Sequence, residues 1–384
     1  MPIPRHASLL DSLAEASSIS HNNRVYEMQG DGADIVTLSL GEAFFDIPVP
    51  SFDDLPQAKI HHYSHSRGLP LLREKLAKYY ELDCGLPLDP ETEIIVTAGS
   101  KAAIFMALSA ILDPGDEVII PEPLWVSYPE QVRLCRGVPV MTPWQDSVDD
   151  FASYVTPRTK AIIVNNPQNP SGRRLGVDEL RRLHELAEQH GLFIIADEAY
   201  HEFVPEGAEF LSVGSFDPHK HHTIVCNSMS KNYGISGWRV GYMVAHQLLI
   251  DQIIKLQQHI ITCAPTILCH YLAEHFETIL EQTRPQIARV VSMRNRMAGE
   301  LASRGVACMP GDATFYLFAS LGKSRLDAEH FTEELLRRHA VSVVPGTGYG
   351  ASCDRFVRIS VGTEPEQRLL RGISAVAGLI EETS

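Results

Sequence analysis

Short apolar runs alternate with amphipathic stretches through the middle of the chain, from about residue 90 to 245. The runs cover residues 93–98, 117–121, 160–165, 192–197, 223–227 and 239–245. Helical periodicity appears between them at 101–112, 126–136 and 178–190, and the last stretch stops at Gly191, a residue typical of helix ends. Strands that alternate with helices predict βαβ units and a largely parallel sheet.

A different pattern begins after residue 285. A long helical stretch ends near Gly305, and residues 314–320, 328–339, 341–344 and 356–361 then read as strand, helix, strand and strand. We therefore predict a large α/β domain over 46–284 and a smaller α+β domain over 285–384. The first 45 residues are too few for a domain, so we expect them to pack on the smaller unit or to reach a neighbouring subunit.

Composition narrows the class of protein. The 384 residues are 44% hydrophobic and 21% charged, as in ordinary globular proteins, and the net charge of -15 argues against a nucleic-acid surface. No apolar run approaches the roughly 20 residues of a membrane span, and residues 1–6 lack the apolar core of a signal peptide. Seven cysteines without a Cys-x-x-Cys predict no disulfide framework, so a cytoplasmic location is expected. The histidines near 61–65 and 219–222 do not form a metal-ligand pattern, and no metal site is predicted.

The segment 228–241 carries the strongest chemical signal. Lys231 lies between small hydroxyl residues there, and a lysine amine becomes a nucleophile toward an aldehyde when its pKa is lowered. Ser228, Ser230 and Arg239 supply donors suited to a phosphate. A reactive lysine beside a phosphate site indicates pyridoxal 5'-phosphate bound as a Schiff base, and the alternative is a solvated lysine in a Ser/Gly loop.

Further motifs stand where strands should end, which is where an open parallel sheet places its ligands. Gly99, Ser100 and Lys101 join a strand to a helix, and amides at that helix start could bind the phosphate, although such junctions are common. Asn169, in a segment with three prolines or glycines, could donate to the cofactor's phenolic oxygen, and the alternative is a plain turn.

Two charged residues lie in apolar strands. Asp197 ends the run 192–197 and needs a partner, because an unpaired buried charge is costly. A protonated pyridine nitrogen would be that partner, and a structural salt bridge or helix cap is the alternative. Arg358 interrupts a later apolar strand, and its planar fork matches a substrate α-carboxylate, although an arginine on an edge strand is often only exposed.

These motifs occur in the order Asn-Pro-x-Asn-Pro-Ser-Gly, Asp-Glu-x-Tyr, Ser-x-Ser-Lys and Gly-x-Arg-x-Gly. With them the chain resembles the class I/II aminotransferases, in the fold-type I family of pyridoxal-phosphate enzymes, from about Leu40 to its end. The resemblance implies a large domain with a mostly parallel seven-stranded sheet between helices, and a small α+β domain.

The resemblance implies roles for four more residues. Gly41 matches the glycine whose backbone meets the substrate carboxylate, and Trp125 matches the aromatic that stacks on the pyridine ring. Tyr200 matches the phenol that joins Asn169 at the cofactor's O3' oxygen. Tyr63 matches a tyrosine that reaches the phosphate of the neighbouring subunit, so a homodimer with shared active sites is implied.

The implied reaction moves an α-amino group between an L-amino acid and a 2-oxo acid by a ping-pong mechanism. Lys101 lies where some bacterial aspartate aminotransferases carry a lysine toward the distal carboxylate, and Ser17-Ser18 lie near their hydroxyl-bearing segment, which favours aspartate or glutamate. The family's Gly-Glu-Pro-Asp-Phe is here Gly-Glu-Ala-Phe-Phe at 41–45, so other amino acids stay open. A lyase, decarboxylase or oxidase of the same fold is the alternative reaction. A non-catalytic alternative, the effector-binding module of a transcription regulator, would need a DNA-binding domain, and we do not expect one in the short N-terminal segment.

Overall fold

A seven-stranded sheet organises most of the chain. The computed structural model describes residues 5–47 and 50–384, so the first four residues of the predicted N-terminal segment lie outside it. The helices are α1 (Ser17–Gly30), α2 (Gln57–Ile60), α3 (Pro70–Asp83), α4 (Ser100–Ile111), α5 (Tyr128–Leu134), α6 (Val177–His190), α7 (Met229–Asn232), α8 (Gln247–Ile260), α9 (Thr266–Ser303), α10 (Ala328–His339) and α11 (Glu366–Glu382).

Most strands coincide with a predicted apolar run, but Val36–Thr37 and Val138–Thr142 were not predicted, because the first has only two residues and the second is a partly exposed edge strand. The strands are β1 (Val36–Thr37), β2 (Ile94–Thr97), β3 (Glu117–Pro121), β4 (Val138–Thr142), β5 (Thr159–Asn165), β6 (Phe193–Asp197), β7 (Thr223–Ser228), β8 (Gly241–Val244), β9 (Tyr316–Ser320), β10 (Val341–Ser342), β11 (Val344–Pro345) and β12 (Phe356–Ser360). The large sheet has the order β2-β8-β7-β6-β5-β3-β4. Its pairs are parallel except those of β8, which is antiparallel to both β7 and β2.

In the strands of the large sheet other than β4, successive residues enter two different apolar layers, which is why these strands read as continuous apolar runs. In β5, Ile162 packs in one layer and Ile163 in the other. Helix α6 covers the first face through Leu180 and Leu183, and α4 covers the second. The sheet therefore lies between helices, as the predicted fold class requires.

A smaller sheet follows α9 along the chain. Strand β12 pairs antiparallel with β11 and β9, and α10, α11 and the second half of α9 pack around the same apolar cluster. The N-terminal strand β1 pairs in parallel with β10 of this unit. The limits of the predicted domains, at 45/46 and 284/285, remain predictions, and α9 runs across the second one.

Candidate active site

An anion-binding cradle forms where α4 and α7 begin. Gly99 precedes α4 with a φ of +81°, and a Cβ there would lie 2.6 Å from Nη2 of Arg239. Arg239 donates to the Ser236 carbonyl at 2.7 Å and lies 3.4 Å from the Ser230 hydroxyl. Ser228 caps α7 by accepting from the Ser230 amide at 3.1 Å. One guanidinium, two hydroxyls and the first amides of α4 thus converge on a site suited to a phosphate.

Asp197 ends β6 and is 6% exposed. Its Oδ2 accepts from the Tyr128 hydroxyl at 2.7 Å, and its Oδ1 accepts from the Ala199 amide at 3.2 Å. Burial raises the pKa of Asp197 to about 6, and these two donors oppose the rise. Within the described chain no cation pairs with this carboxyl group, so it lacks the partner that a buried carboxylate requires.

Lys231 lies in α7, and its side chain and that of Asp197 line one cavity. Its Nζ donates to the Gly41 carbonyl at 2.5 Å. Burial lowers the pKa of Lys231 to about 8; Glu42 opposes this shift, and the positive charges of Arg358 and Arg239 add to it. The amine is therefore more easily freed of its extra proton than that of an ordinary lysine, which is what a nucleophilic lysine requires.

Arg358 lies in β12 and is only 3% exposed. Its Nη2 donates to the Ser39 carbonyl at 2.6 Å, and its guanidinium lies over the rings of Tyr316 and Tyr349 at 4.5 and 5.5 Å. Its Nε has no hydrogen-bond partner in the described structure, and no carboxylate there pairs with it. A buried guanidinium without an anion is a receptor for a carboxylate.

Four more predicted residues complete the walls. The Asn169 amide nitrogen donates to the Tyr200 hydroxyl at 3.3 Å, and the Asn169 Oδ1 is buried without a partner in the described structure. The Tyr200 hydroxyl also lies 3.2 Å from that of Tyr316. Lys101 Nζ lies 5.0 Å from the ring centroid of Trp125. The cavity is therefore lined by a polar pair and by an aromatic ring with a cation beside it.

One cavity of about 370 Å³ collects most of the predicted residues. It is lined by Gly41, Ser100, Lys101, Trp125, Asn169, Asp197, Tyr200, Ser228, Ser230, Lys231, Arg239 and Arg358. Gly99 is not in this lining but shapes it from behind through its contact with Arg239. Tyr63 is not in it either and is 84% exposed, so within one chain it does not reach the other residues.

The sequence reasoning missed several residues of the site. Tyr128 holds Asp197, and its signal was its place three residues after Trp125, at the first position of α5. Glu42 and Asn22 line the cavity from the N-terminal part of the chain. The sequence could have indicated Glu42, because it follows Gly41 in a family motif. Nothing in the sequence distinguishes Asn22 from the other polar residues of α1.

The comparisons with known proteins agree with this geometry. The family model "Aminotransferase class I and II" matches residues 36–375, so the chain belongs to the class I and II aminotransferases. Similar curated proteins include an aspartate aminotransferase of Geobacillus stearothermophilus, 33% identical over 93% of this chain and 94% of the relative. Another is aromatic-amino-acid aminotransferase 2 of Thermococcus litoralis, 31% identical over 93% of this chain and 95% of the relative.

Among solved structures, the aspartate aminotransferase of Thermus thermophilus with maleate is similar, with a TM-score of 0.90 and 29% identity. The match covers 98% of this chain and all of the other. The chain is thus an aminotransferase of the fold-type I architecture. In the described part of the chain, no helix is long and apolar enough to cross a membrane.

Proposed function

We propose that this protein uses pyridoxal 5'-phosphate to move an α-amino group between an L-amino acid and a 2-oxo acid by a ping-pong mechanism. One observation carries the proposal. A single cavity holds a lysine with a lowered pKa, a buried carboxyl group without a cation and a buried guanidinium without an anion. Each of these groups lacks a partner that the coenzyme or the substrate would supply.

The residues present suit this coenzyme. Its phosphate matches the cradle of Ser228, Ser230 and Arg239 with the first amides of α4, and its ring nitrogen would supply the cation that Asp197 lacks among the described residues. Its phenolic oxygen matches the paired polar groups of Asn169 and Tyr200. When bound, the coenzyme draws electron density away from the Cα of the amino acid.

The chain's own residues supply binding, orientation and proton transfer. Arg358 binds the α-carboxylate of the substrate and, with the Gly41 backbone, fixes which bond at Cα points toward Lys231. The Lys231 amine, with a pKa of about 8, removes the proton from Cα. Asp197 keeps its negative charge near neutral pH because Tyr128 donates to it, and that charge stabilises the positive group bound beside it.

We propose aspartate or glutamate as one substrate pair, with 2-oxoglutarate among the acceptors. Lys101 and Ser18 both line the cavity and could receive a distal carboxylate. The altered family motif does not oppose this choice, because Ala43 is buried and Phe44 is 63% exposed, and neither lines the cavity. The relatives named above include both aspartate and aromatic aminotransferases, so aromatic amino acids belong in the same assay.

The test is steady-state kinetics of the coenzyme-loaded protein with L-aspartate, L-glutamate and L-phenylalanine against 2-oxo acids. Parallel double-reciprocal lines at several acceptor concentrations are expected, as in a ping-pong mechanism. Converging lines, or activity unchanged in Lys231→Ala, would contradict the proposal.

We also propose a homodimer in which Tyr63 of one subunit completes the site of the other. The support is that this large aromatic side chain is 84% exposed and lies outside the cavity of its own chain. Lys231→Ala and Tyr63→Ala dimers should each be weakly active. Hybrids of the two variants should regain activity, because one of their two sites then carries both native residues.

Mixing should be done under mild denaturation followed by refolding, with each variant refolded alone as the control. Recovery to about one quarter of wild-type activity is the expectation for a random mixture of shared sites. No recovery above the separate controls, although light scattering shows dimers, would mean that Tyr63 acts within its own subunit or not at all.

A further inference from the structure

Helix α1 forms one wall of the cavity, and apart from Ser18 its lining residues have no role in the proposed function. Ser18, Ile19 and Asn22 line the cavity from its inner face, and Val25 anchors the helix in a small apolar cluster with Ile35. The helix therefore has a fixed position beside the substrate space. Among these three lining residues, Asn22 is the one whose side chain is held by a hydrogen bond across to another segment of the chain.

The side chain of Asn22 is oriented by the same residue that holds Arg358. Its Oδ1 accepts from the Ser39 hydroxyl at 2.7 Å, and the Ser39 carbonyl accepts from Arg358 Nη2 at 2.6 Å. The Ser39 hydroxyl also lies 3.0 Å from that of Ser342. With its oxygen fixed in this way, the Asn22 amide nitrogen makes no hydrogen bond to the described part of the chain and remains a donor in the cavity wall.

The neighbouring residues of α1 leave this donor free to meet an anion. Burial, with Arg24 and Arg358 nearby, lowers the pKa of His21 to about 4, so this side chain is neutral at pH 7. The carboxylate of Glu42 also lines the cavity, but it accepts from the Ser236 hydroxyl at 2.7 Å. His21, which lies near Arg358, therefore adds no charge that would compete with a bound carboxylate.

We infer that Asn22 is a substrate-binding residue, which donates from α1 to the carboxylate that Arg358 binds. This inference rests on the proposed function, since it concerns the carboxylate of the same amino acid and oxo acid. A carboxylate has about four acceptor positions, and one guanidinium does not satisfy them all. An amide in the wall of the same cavity adds a neutral donor, and it makes α1 part of substrate recognition.

Asn22→Asp separates this role from a structural one. The variant keeps an acceptor oxygen for the Ser39 hydroxyl, but it replaces the amide donor by an oxygen that repels a carboxylate. We expect the dissociation constant of maleate, a dicarboxylate without an amino group, to rise about tenfold to a hundredfold, since hydrogen bonds to charged groups have this strength. Calorimetry of the coenzyme-loaded protein measures it without turnover, and KM for the amino donor should rise more than kcat falls.

Asn23→Asp is the matched control, because this neighbouring residue is exposed and does not line the cavity. It adds the same charge to the same helix, and maleate affinity should stay within about twofold. Asn22→Leu removes the donor without adding a charge and should weaken maleate binding about tenfold or more. It keeps the test valid if Asn22→Asp does not fold.

Wild-type affinity in Asn22→Asp or in a folded Asn22→Leu would overturn the inference, and so would an equal loss in Asn23→Asp. Failure of the proposed function looks different. In that case the wild-type protein itself would transfer no amino group, whatever its variants bind.

Discussion

Removal of the Tyr128 hydroxyl is the substitution that most directly tests what sets the pKa of Asp197. Tyr128→Phe removes one oxygen from a fully packed position, and with it the donor to Asp197 Oδ2 at 2.7 Å. Asp197 then keeps only the Ala199 amide as a donor. In the native protein burial raises the pKa of Asp197 to about 6, and the hydrogen bonds from Tyr128 and Ala199 oppose this rise. The hydrogen bond from Tyr128, which the variant loses, is the larger of these two opposing effects.

The size of the effect follows from the strength of that hydrogen bond. A hydrogen bond to a charged group contributes about 1.5 to 3 kcal/mol, and one pKa unit corresponds to about 1.4 kcal/mol, so the pKa of Asp197 should rise by about one to two units. At pH 7 the ionised fraction of Asp197 in the coenzyme-free protein would fall from about nine tenths to between about one half and one tenth. The variant would therefore carry a largely protonated carboxyl group at the pH where the native one is charged.

The assay is the affinity of the coenzyme-free protein for pyridoxal 5'-phosphate between pH 5 and 9, followed by absorbance. Because binding favours ionised Asp197, affinity should be lost as the pH falls through about 6 in the native protein, and about one to two units higher in the variant. Above both values the two proteins should bind alike. Ionisation of the coenzyme itself is common to both proteins and cancels in the comparison.

Tyr233→Phe is the control, because Tyr233 is buried and its hydroxyl has no hydrogen-bond partner in the described structure. It removes the same atom without touching Asp197 and should leave the pH dependence unchanged. An identical pH dependence in Tyr128→Phe and the native protein would refute the reasoning, as would an equal shift in Tyr233→Phe.

Two further substitutions test the two anion sites. Arg358→Ala should lower kcat/KM for every amino donor about a hundredfold or more, mainly by raising KM, because two hydrogen bonds from a charged donor are lost. An unchanged KM would show that Arg358 does not bind the substrate. Gly99→Ala should cost about 1 kcal/mol of stability from its positive φ and should weaken coenzyme binding at least about tenfold, because its Cβ would lie 2.6 Å from Arg239. Gly207→Ala is the control, because Gly207 has a similar φ of +78° but a Cβ there would meet nothing within 4 Å. This variant should lose the same stability and keep the native affinity for the coenzyme. Equal coenzyme affinities in the two variants would contradict the assigned cradle.

Much of the fold could be predicted because its strands are buried on both faces. Runs such as the one around Ile162 and Ile163 send alternate residues into two apolar layers, and each therefore reads as a continuous apolar stretch. The antiparallel direction of β8 was not visible in this pattern. It follows from the connection 229–240, which holds the short α7 and one 3-10 turn at Ser236–Trp238 and returns the chain along the edge of β7. Strands of two residues, such as β1 and β10, are too short for any periodicity.

The candidate site could be predicted where residues follow strands directly. Asp197 and Ser228 end neighbouring parallel strands, so their side chains meet at one edge of the sheet. Tyr128 and Asn22 could not be found in this way, because each reaches the site from a helix through a single side-chain contact. The role of Tyr63 depends on a second subunit, and a single chain shows only its exposure.

The most direct test of the central claim is one turnover of the coenzyme-loaded protein with L-glutamate or L-aspartate and no acceptor. The account predicts one equivalent of 2-oxo acid per site, no free ammonia or carbon dioxide, and release of the retained amino group as a new amino acid when a second oxo acid is added. Formation of ammonia or carbon dioxide in place of a retained amino group would contradict it and indicate a lyase, oxidase or decarboxylase.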